Sequence, residues 1–300
     1  MARVLVTGAG GFIGTNLVGH LSANGHEVYG IVHQKQEQRQ PGASYIECDI
    51  SNLKAVRQAF QEVRPEWVFN LAASNIQSGV SADIDILLGT NVLGTQNLLV
   101  AAREMGVHAF IHTGSFLEYG AKSEPCKEDM RCDPPEPYSI SKLAGTLLVQ
   151  TSAVPAVVFR LFTPYGPGMQ KGRVVRELIE RAQHGTNFNL TAPSVARDYI
   201  YINDVVMLLV EAATRIEKHQ GEIYNMGSGR MVTLEELSRL VVSILESRSI
   251  PEWGSASPVA YDSDIWRADM TKTFAAFDWR PSVTLEEGIR HTATWLEDVN

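Results

Sequence analysis

The chain of 300 residues is 44% hydrophobic and carries a net charge of −8, from 26 Lys and Arg against 34 Asp and Glu. That length and apolar content bury a sizeable core, in one large domain or two unequal ones sharing it. The acidic balance, with no run of Lys and Arg interleaved with aromatics, argues against nucleic acid as a partner.

Val4, Leu5 and Val6 read as a buried strand that runs directly into Gly8-Ala-Gly-Gly11-Phe12-Ile13-Gly14. A helical pattern follows, with Phe12, Ile13, Leu17, Val18 and Leu21 on one side. A strand–glycine turn–helix unit aims unpaired backbone N–H groups and the positive end of the helix dipole at a phosphate. Gly8 permits the tight turn, Gly11 lets the backbone approach a pyrophosphate, and Gly14 allows close helix–strand packing. Strand patterns then recur at Glu27–Val32, Ser44–Cys48, Trp67–Leu71, Ala109–Thr113 and Ala156–Leu161. Between them lie helical patterns at Leu53–Val63, Ile86–Met105, ended by Gly106, and Tyr138–Thr151. Such alternation predicts an α/β fold, a doubly wound parallel sheet of the Rossmann type.

Beyond residue 163, Pro164, Gly166, Pro167 and Gly168 break the rhythm. Helical patterns at Arg173–His184, Asp204–Arg215 and Leu234–Glu246 mix with a strand-like Tyr199–Ile202, predicting a smaller α+β lobe. The expected division gives 1–165 and about 199–218 to the dinucleotide-binding domain, and 166–198 with 219–300 to a substrate lobe. Ligands of open parallel sheets bind outside the carboxyl ends of the strands, so the cleft between the two is the expected site. Cys48, Cys126 and Cys132 have no metal-ligand spacing, so no metal is expected. Three cysteines fit a reducing compartment. The first strand starts at the N-terminus and no apolar run reaches transmembrane length, so a cytoplasmic protein without a membrane partner is expected.

Tyr138 and Lys142 are four apart on a helix and share a face. An ammonium beside a phenol favours phenolate and lowers its pKa toward acid/base use. A chance pair on a solvated helix has the same spacing. The segment before it adds weight: Ser115, at the end of a predicted strand, projects a hydroxyl over the sheet edge.

Taken in order, these segments resemble the extended short-chain dehydrogenase/reductases, the nucleotide-sugar epimerases, dehydratases and ketoreductases. The resemblance rests on Thr7–Gly14, Asp49-Ile50, Leu71-Ala72-Ala73, Asn91–Leu99, Ser115 with Tyr119-Gly120, and Pro137–Lys142. Arg160–Pro167, Arg197–Asp204, Tyr224–Gly227 and Asp269–Lys272 continue it. It implies that Tyr138 exchanges a proton with the reacting sugar oxygen, that Ser115 hydrogen-bonds that oxygen, and that Lys142 holds the nicotinamide ribose. It places Asp49 and Ile50 at the adenine, and Leu71, Ala72 and Ala73 along the cofactor groove. Phe116, Thr163 and Arg197 fall to the substrate, Arg197 on the diphosphate; a surface ion pair of Arg197 with Asp198 is the alternative. It also implies a homodimer through Ile86–Met105 and Tyr138–Thr151.

Four departures narrow the chemistry. NAD-using members carry an acid at the end of the second strand; here that strand is followed by His33, Lys35 and Arg39, which points to NADP(H) over NAD(H). Dehydratases place Asp-Glu after the catalytic hydroxyl residue, where this chain has Phe116-Leu117. Leu117 also replaces the Cys of combined epimerase-reductases, whose second-lobe His is missing from Gly166–Arg176. Val259–Asp262 lacks the nucleotide-binding Arg of many members; Arg267 is a nearby substitute. The expected activity is therefore NADP(H)-dependent reduction of a nucleotide-linked 4-keto-6-deoxy sugar. An NAD-dependent C4 epimerase is the alternative, and a non-catalytic dinucleotide-binding protein the third reading.

Overall fold

The computed structural model describes residues 1–33, 40–74, 84–257 and 266–299. In chain order it forms β1 (Arg3–Thr7), α1 (Phe12–Ala23), β2 (Glu27–Val32), β3 (Ala43–Glu47), α2 (Leu53–Val63) and β4 (Trp67–Asn70). A long helix follows: α3 (Ile84–Leu87), a π-helical stretch Leu88–Gly94, and α4 (Thr95–Met105). Then come β5 (Ala109–Ser115), a tight turn Phe116–Tyr119, α5 (Pro137–Gln150) and β6 (Ala156–Leu161). The C-terminal half holds β7 (Thr163–Tyr165), α6 (Val174–Gln183), β8 (Phe188–Leu190), β9 (Ala196–Tyr201), α7 (Ile202–Thr214) and β10 (Ile223–Met226). It ends with β11 (Met231–Thr233), α8 (Leu234–Ile244), β12 (Pro251–Trp253), α9 (Thr271–Ala276) and α10 (Leu285–Val299).

The central sheet has the order β10-β6-β5-β4-β1-β2-β3, and every pairing in it is parallel. Side chains of a strand alternate between faces. Val4 and Val6 accordingly join Phe69, Ile111 and Phe159 in one core, whereas Leu5 joins Val68, Phe110 and Val158 in the other. Helices α1 and α7 pack together on the first face, and α2, α4 and α5 on the second. This is the doubly wound architecture expected from the sequence. Two smaller sheets, β11-β9-β7 and β12-β8, stand beyond it.

Two features differ from the sequence reading. The sheet gains a seventh strand, β10, from the C-terminal half, which pairs with β6 from Ile223↔Val158 to Met226↔Leu161. Four residues carry too short a pattern to stand out. Among the described residues, the helix Ile84–Met105 is also long and apolar enough, by length and composition, to cross a membrane, against the expectation that no segment is. Its Leu98, Leu99, Ala101 and Ala102 are buried in the second core, as in a core helix.

Candidate active site

The carboxyl ends of β5, β4, β1, β2 and β3 lie side by side, spanning four strand spacings of roughly 19 Å. At the centre is the glycine turn. Gly8 has φ +65, and a Cβ there would lie 2.8 Å from the backbone N of Ala72. A Cβ on Gly14 would collide with the carbonyl oxygen of Gly8. Gly11 is the N-cap of α1; no side chain caps the helix and its first turn, with Phe12 and Ile13, carries no acid. The free N–H groups of that turn can therefore receive a phosphate.

To one side of the turn, the Thr7 hydroxyl donates to Asn70 Oδ1 at 2.9 Å and accepts from the Ala72 N–H at 3.1 Å. Leu71 and Ala72 are thus held, half-buried, against the turn, with Ala73 exposed beyond them. On the other side, Ile50 is buried against Gly94, and Asp49 is exposed at the end of β3. The Asp49 carboxylate accepts from the Ser51 N–H and hydroxyl, which with nearby His33 hold its pKa below the ordinary range. These residues fit a pyrophosphate on the turn and an adenine against Ile50. Lys35 and Arg39 lie outside the described residues, as does Val259–Asp262; Arg267 is exposed.

The reacting end is built where β5 stops. Pro137 opens α5, and the Glu136 carboxylate caps it, accepting from the N–H of Tyr138 and of Ser139, each at 2.8 Å. That cap fixes Tyr138 in the first turn, where its phenol lies close enough to Ser115 to feel it. One turn on, buried Lys142 donates from Nζ to the Thr113 carbonyl at 2.6 Å. Asn91, in the π-helical stretch, ties the far side: its Nδ2 donates to Ser141 Oγ at 2.9 Å and to the Ser74 carbonyl at 3.0 Å.

The electrostatics reverse one expectation. The phenol of Tyr138 is pushed up to about 12, by burial first, against the nearby Arg173 guanidinium and the Ser115 side chain. Lys142 does not lower it here; burial pushes the ammonium itself down to about 8, opposed by the charge of Glu118. Helical spacing shows that two groups meet, but not how far the sheet shields them from water.

Phe116 is half-buried, stacked on Phe162 at 5.4 Å and edge-on to Trp266 at 4.9 Å. Thr163 opens β7, which pairs with β9 at Thr163↔Tyr199. Arg197, in β9, donates to the Ala196 carbonyl. Its neighbour Asp198 points inward, accepting from Ser228 N and Oγ, Gly229 N and Ala268 N. That buried set replaces the surface ion pair of the alternative reading. The sequence reading gave no role to Glu136, Arg173 or Asn70. For Glu136 an acid directly before a helix-opening proline was the available signal.

A family model described as the NAD dependent epimerase/dehydratase family matches residues 4–227. The UDP-glucose 4-epimerase of Mycolicibacterium smegmatis is 30% identical, the match covering 99% of each chain. The dTDP-D-glucose 4,6-dehydratase of Mus musculus is 27% identical over 98% of this chain and 88% of its own. Among solved structures, the Thermotoga maritima UDP-glucose 4-epimerase with UDP-glucose superposes with a TM-score of 0.90, at 28% identity and 99% coverage of both. The Thermus thermophilus UDP-glucose 4-epimerase in complex with NAD gives 0.88, at 30% identity, covering 99% of this chain and all 100% of the other.

Proposed function

The chain belongs to the NAD dependent epimerase/dehydratase family, and from that premise we propose that it is an epimerase that inverts C4 of a nucleotide-linked hexose. The observation that carries this is the meeting of Ser115 and Tyr138 at the end of β5, close enough for the serine to act on the phenol, with Lys142 one turn along and Phe116-Leu117 beside it. That set can hold a sugar hydroxyl and move one proton. Neither Phe116 nor Leu117 can carry the second proton that loss of water needs. Relatives similar over nearly the whole chain are UDP-glucose 4-epimerases, which makes a UDP-hexose the substrate to test.

When bound, the dinucleotide supplies an oxidised, positively charged ring that accepts a hydride and gives it back. Tyr138 Oη takes the proton of the 4-hydroxyl and returns it to the 4-keto oxygen, and Ser115 Oγ holds that oxygen in place. The half-buried phenol, with pKa near 12, is a proton donor as it stands. Positive charge from Arg173 favours its basic form. Gly8, Gly11, Phe12, Ile13, Gly14, Asp49, Ile50, Leu71, Ala72 and Ala73 hold the dinucleotide. Phe116, Thr163 and Arg197 face the sugar nucleotide, in a substrate lobe formed by 166–198 and 219–300. Two copies pair through the helix Ile84–Met105 and α5.

NAD is the favoured cofactor. The end of β2 has no acid, yet Asp49 is ionised one strand over, close enough to feel His33. A 2′-phosphate there would meet negative charge that the β2 sequence alone does not reveal. The exposed His33 is the observation that favours the second reading, an NADPH-dependent 4-ketoreductase. UDP-glucose incubated with the protein and no added dinucleotide, followed by proton NMR, separates the two. Appearance of the C4 epimer supports the epimerase. No conversion, together with NADPH consumption on a keto sugar nucleotide, supports the reductase.

A further inference from the structure

We propose that Glu118 is a positioning residue of this site: its carboxylate, buried beneath Ser115, holds the serine backbone in register with α5 and sets the charge against which Tyr138 and Lys142 exchange protons. This rests on the acid/base reading of Tyr138 above. Glu118 is fully buried. Its Oε1 accepts from the Ser115 N–H at 2.8 Å and from the Thr146 hydroxyl at 3.1 Å. Thr146 is one turn past Lys142, so one oxygen bridges the strand end that carries Ser115 and the helix that carries Tyr138 and Lys142. Room is made for it: a Cβ on Gly114 would lie 2.5 Å from that oxygen.

The second oxygen, Oε2, accepts from Arg160 Nε at 3.0 Å. Arg160 is itself fixed, donating to the Glu128 carbonyl at 3.2 Å and to Cys132 Sγ at 3.1 Å, with its guanidinium 4.4 Å from the centre of the Tyr119 ring. A buried ion pair is poor evidence of added stability, because an apolar pair of similar volume serves as well or better. What an apolar pair would not supply is an acceptor for Ser115 and a negative charge beside the proton-exchanging groups. The charged neighbours of Tyr138 are Arg173, Glu118 and Glu136; that of Lys142 is Glu118, with His112 held neutral beneath it by burial and by Lys142. Glu118 opposes proton loss from both Tyr138 and Lys142.

Removing Glu118 alone would leave Arg160 buried and unpaired, so the test uses two double variants of the whole protein. Glu118→Val with Arg160→Met removes both the acceptor and the charge. Glu118→Gln with Arg160→Met removes the charge and keeps a carbonyl for Ser115 and Thr146. The Val variant is expected to lose roughly 10- to 100-fold in kcat with little change in KM, the scale of a misplaced reacting group. The Gln variant recovers most of that kcat. In both, the acid limb of the kcat–pH profile moves to lower pH, because protons leave more readily once the negative charge is gone. Independently of activity, the Ser115 amide exchanges with deuterium quickly in the Val variant and stays protected in the Gln variant.

Wild-type kcat and an unmoved acid limb in the Val variant overturn the proposal, provided Tyr138→Phe is inactive in the same assay. Turnover by Tyr138→Phe removes the acid/base reading and the proposal with it. Should the Val variant fail to fold, an acid limb that stays in place in the Gln variant overturns it alone.

Discussion

At Tyr138 and Lys142, burial opposes the charges that proton transfer uses. A phenol near 12 and an ammonium near 8 are both shifted toward their neutral forms, which is what desolvation does to any ionisable group. For Lys142 the consequence is measurable as stability. Its pKa falls from 10.5 to about 8 on folding, so below pH 8 the folded state holds a buried cation that the unfolded state does not. Between the two values the unfolded chain binds more protons, so stability rises with pH there. Relative to Lys142→Met, the wild type should gain about 3 kcal/mol from pH 8 to pH 10.5, at 1.36 kcal/mol per unit. Denaturant melts of both proteins at the two pH values check this; a pH-independent difference contradicts it. Spacing put Tyr138 and Lys142 on one helix face in the sequence, and Ser115 at the end of the preceding strand set the pair apart from a chance one. Their pKa directions were not legible, since shielding comes from β5 and from Glu118, whose partner Arg160 is distant in the chain.

Among the elements, the β1–α1 turn was readable because local sterics dictate it: only glycine escapes the contacts at Gly8 and Gly14. The same holds for Gly106, whose φ of +64 ends α4. Long-range pairing left weaker marks. β10 reaches β6 from the far half of the chain, and the π-helical stretch follows from packing rather than from any motif. From that stretch Asn91 reaches Ser141 and the loop after β4. Wide helical turns of this kind recur at functional sites. The outer faces of the same helices carry Leu88, Leu93, Ile140 and Leu147, between 43% and 51% exposed. These are the apolar side chains that the proposed pairing of two copies would cover. Light scattering should give twice the chain mass for the wild type and the single-chain mass for Leu93→Glu/Leu147→Glu; a monomeric wild type contradicts the pairing.

Across the whole molecule, the strand order places the glycine turn, Ile50 with Asp49, and Tyr138 with Lys142 along one edge of one sheet. The C-terminal half closes on that edge through Asp198, whose buried carboxylate, raised to about 6 by burial against four hydrogen bonds, joins β9 to Ser228, Gly229 and Ala268. The family and this architecture were legible from motifs in order. The choice between inverting and reducing a sugar was not, because it turns on the pocket where β2 and β3 end, and Asp49 reaches that pocket from the neighbouring strand. An epimerase takes a hydride and gives it back without exchanging its cofactor; a reductase must release it at every turnover. The direct measurement is to denature the purified protein and identify the dinucleotide set free. Stoichiometric NAD is the predicted result; protein that releases none and binds NADPH more tightly than NADH would contradict it.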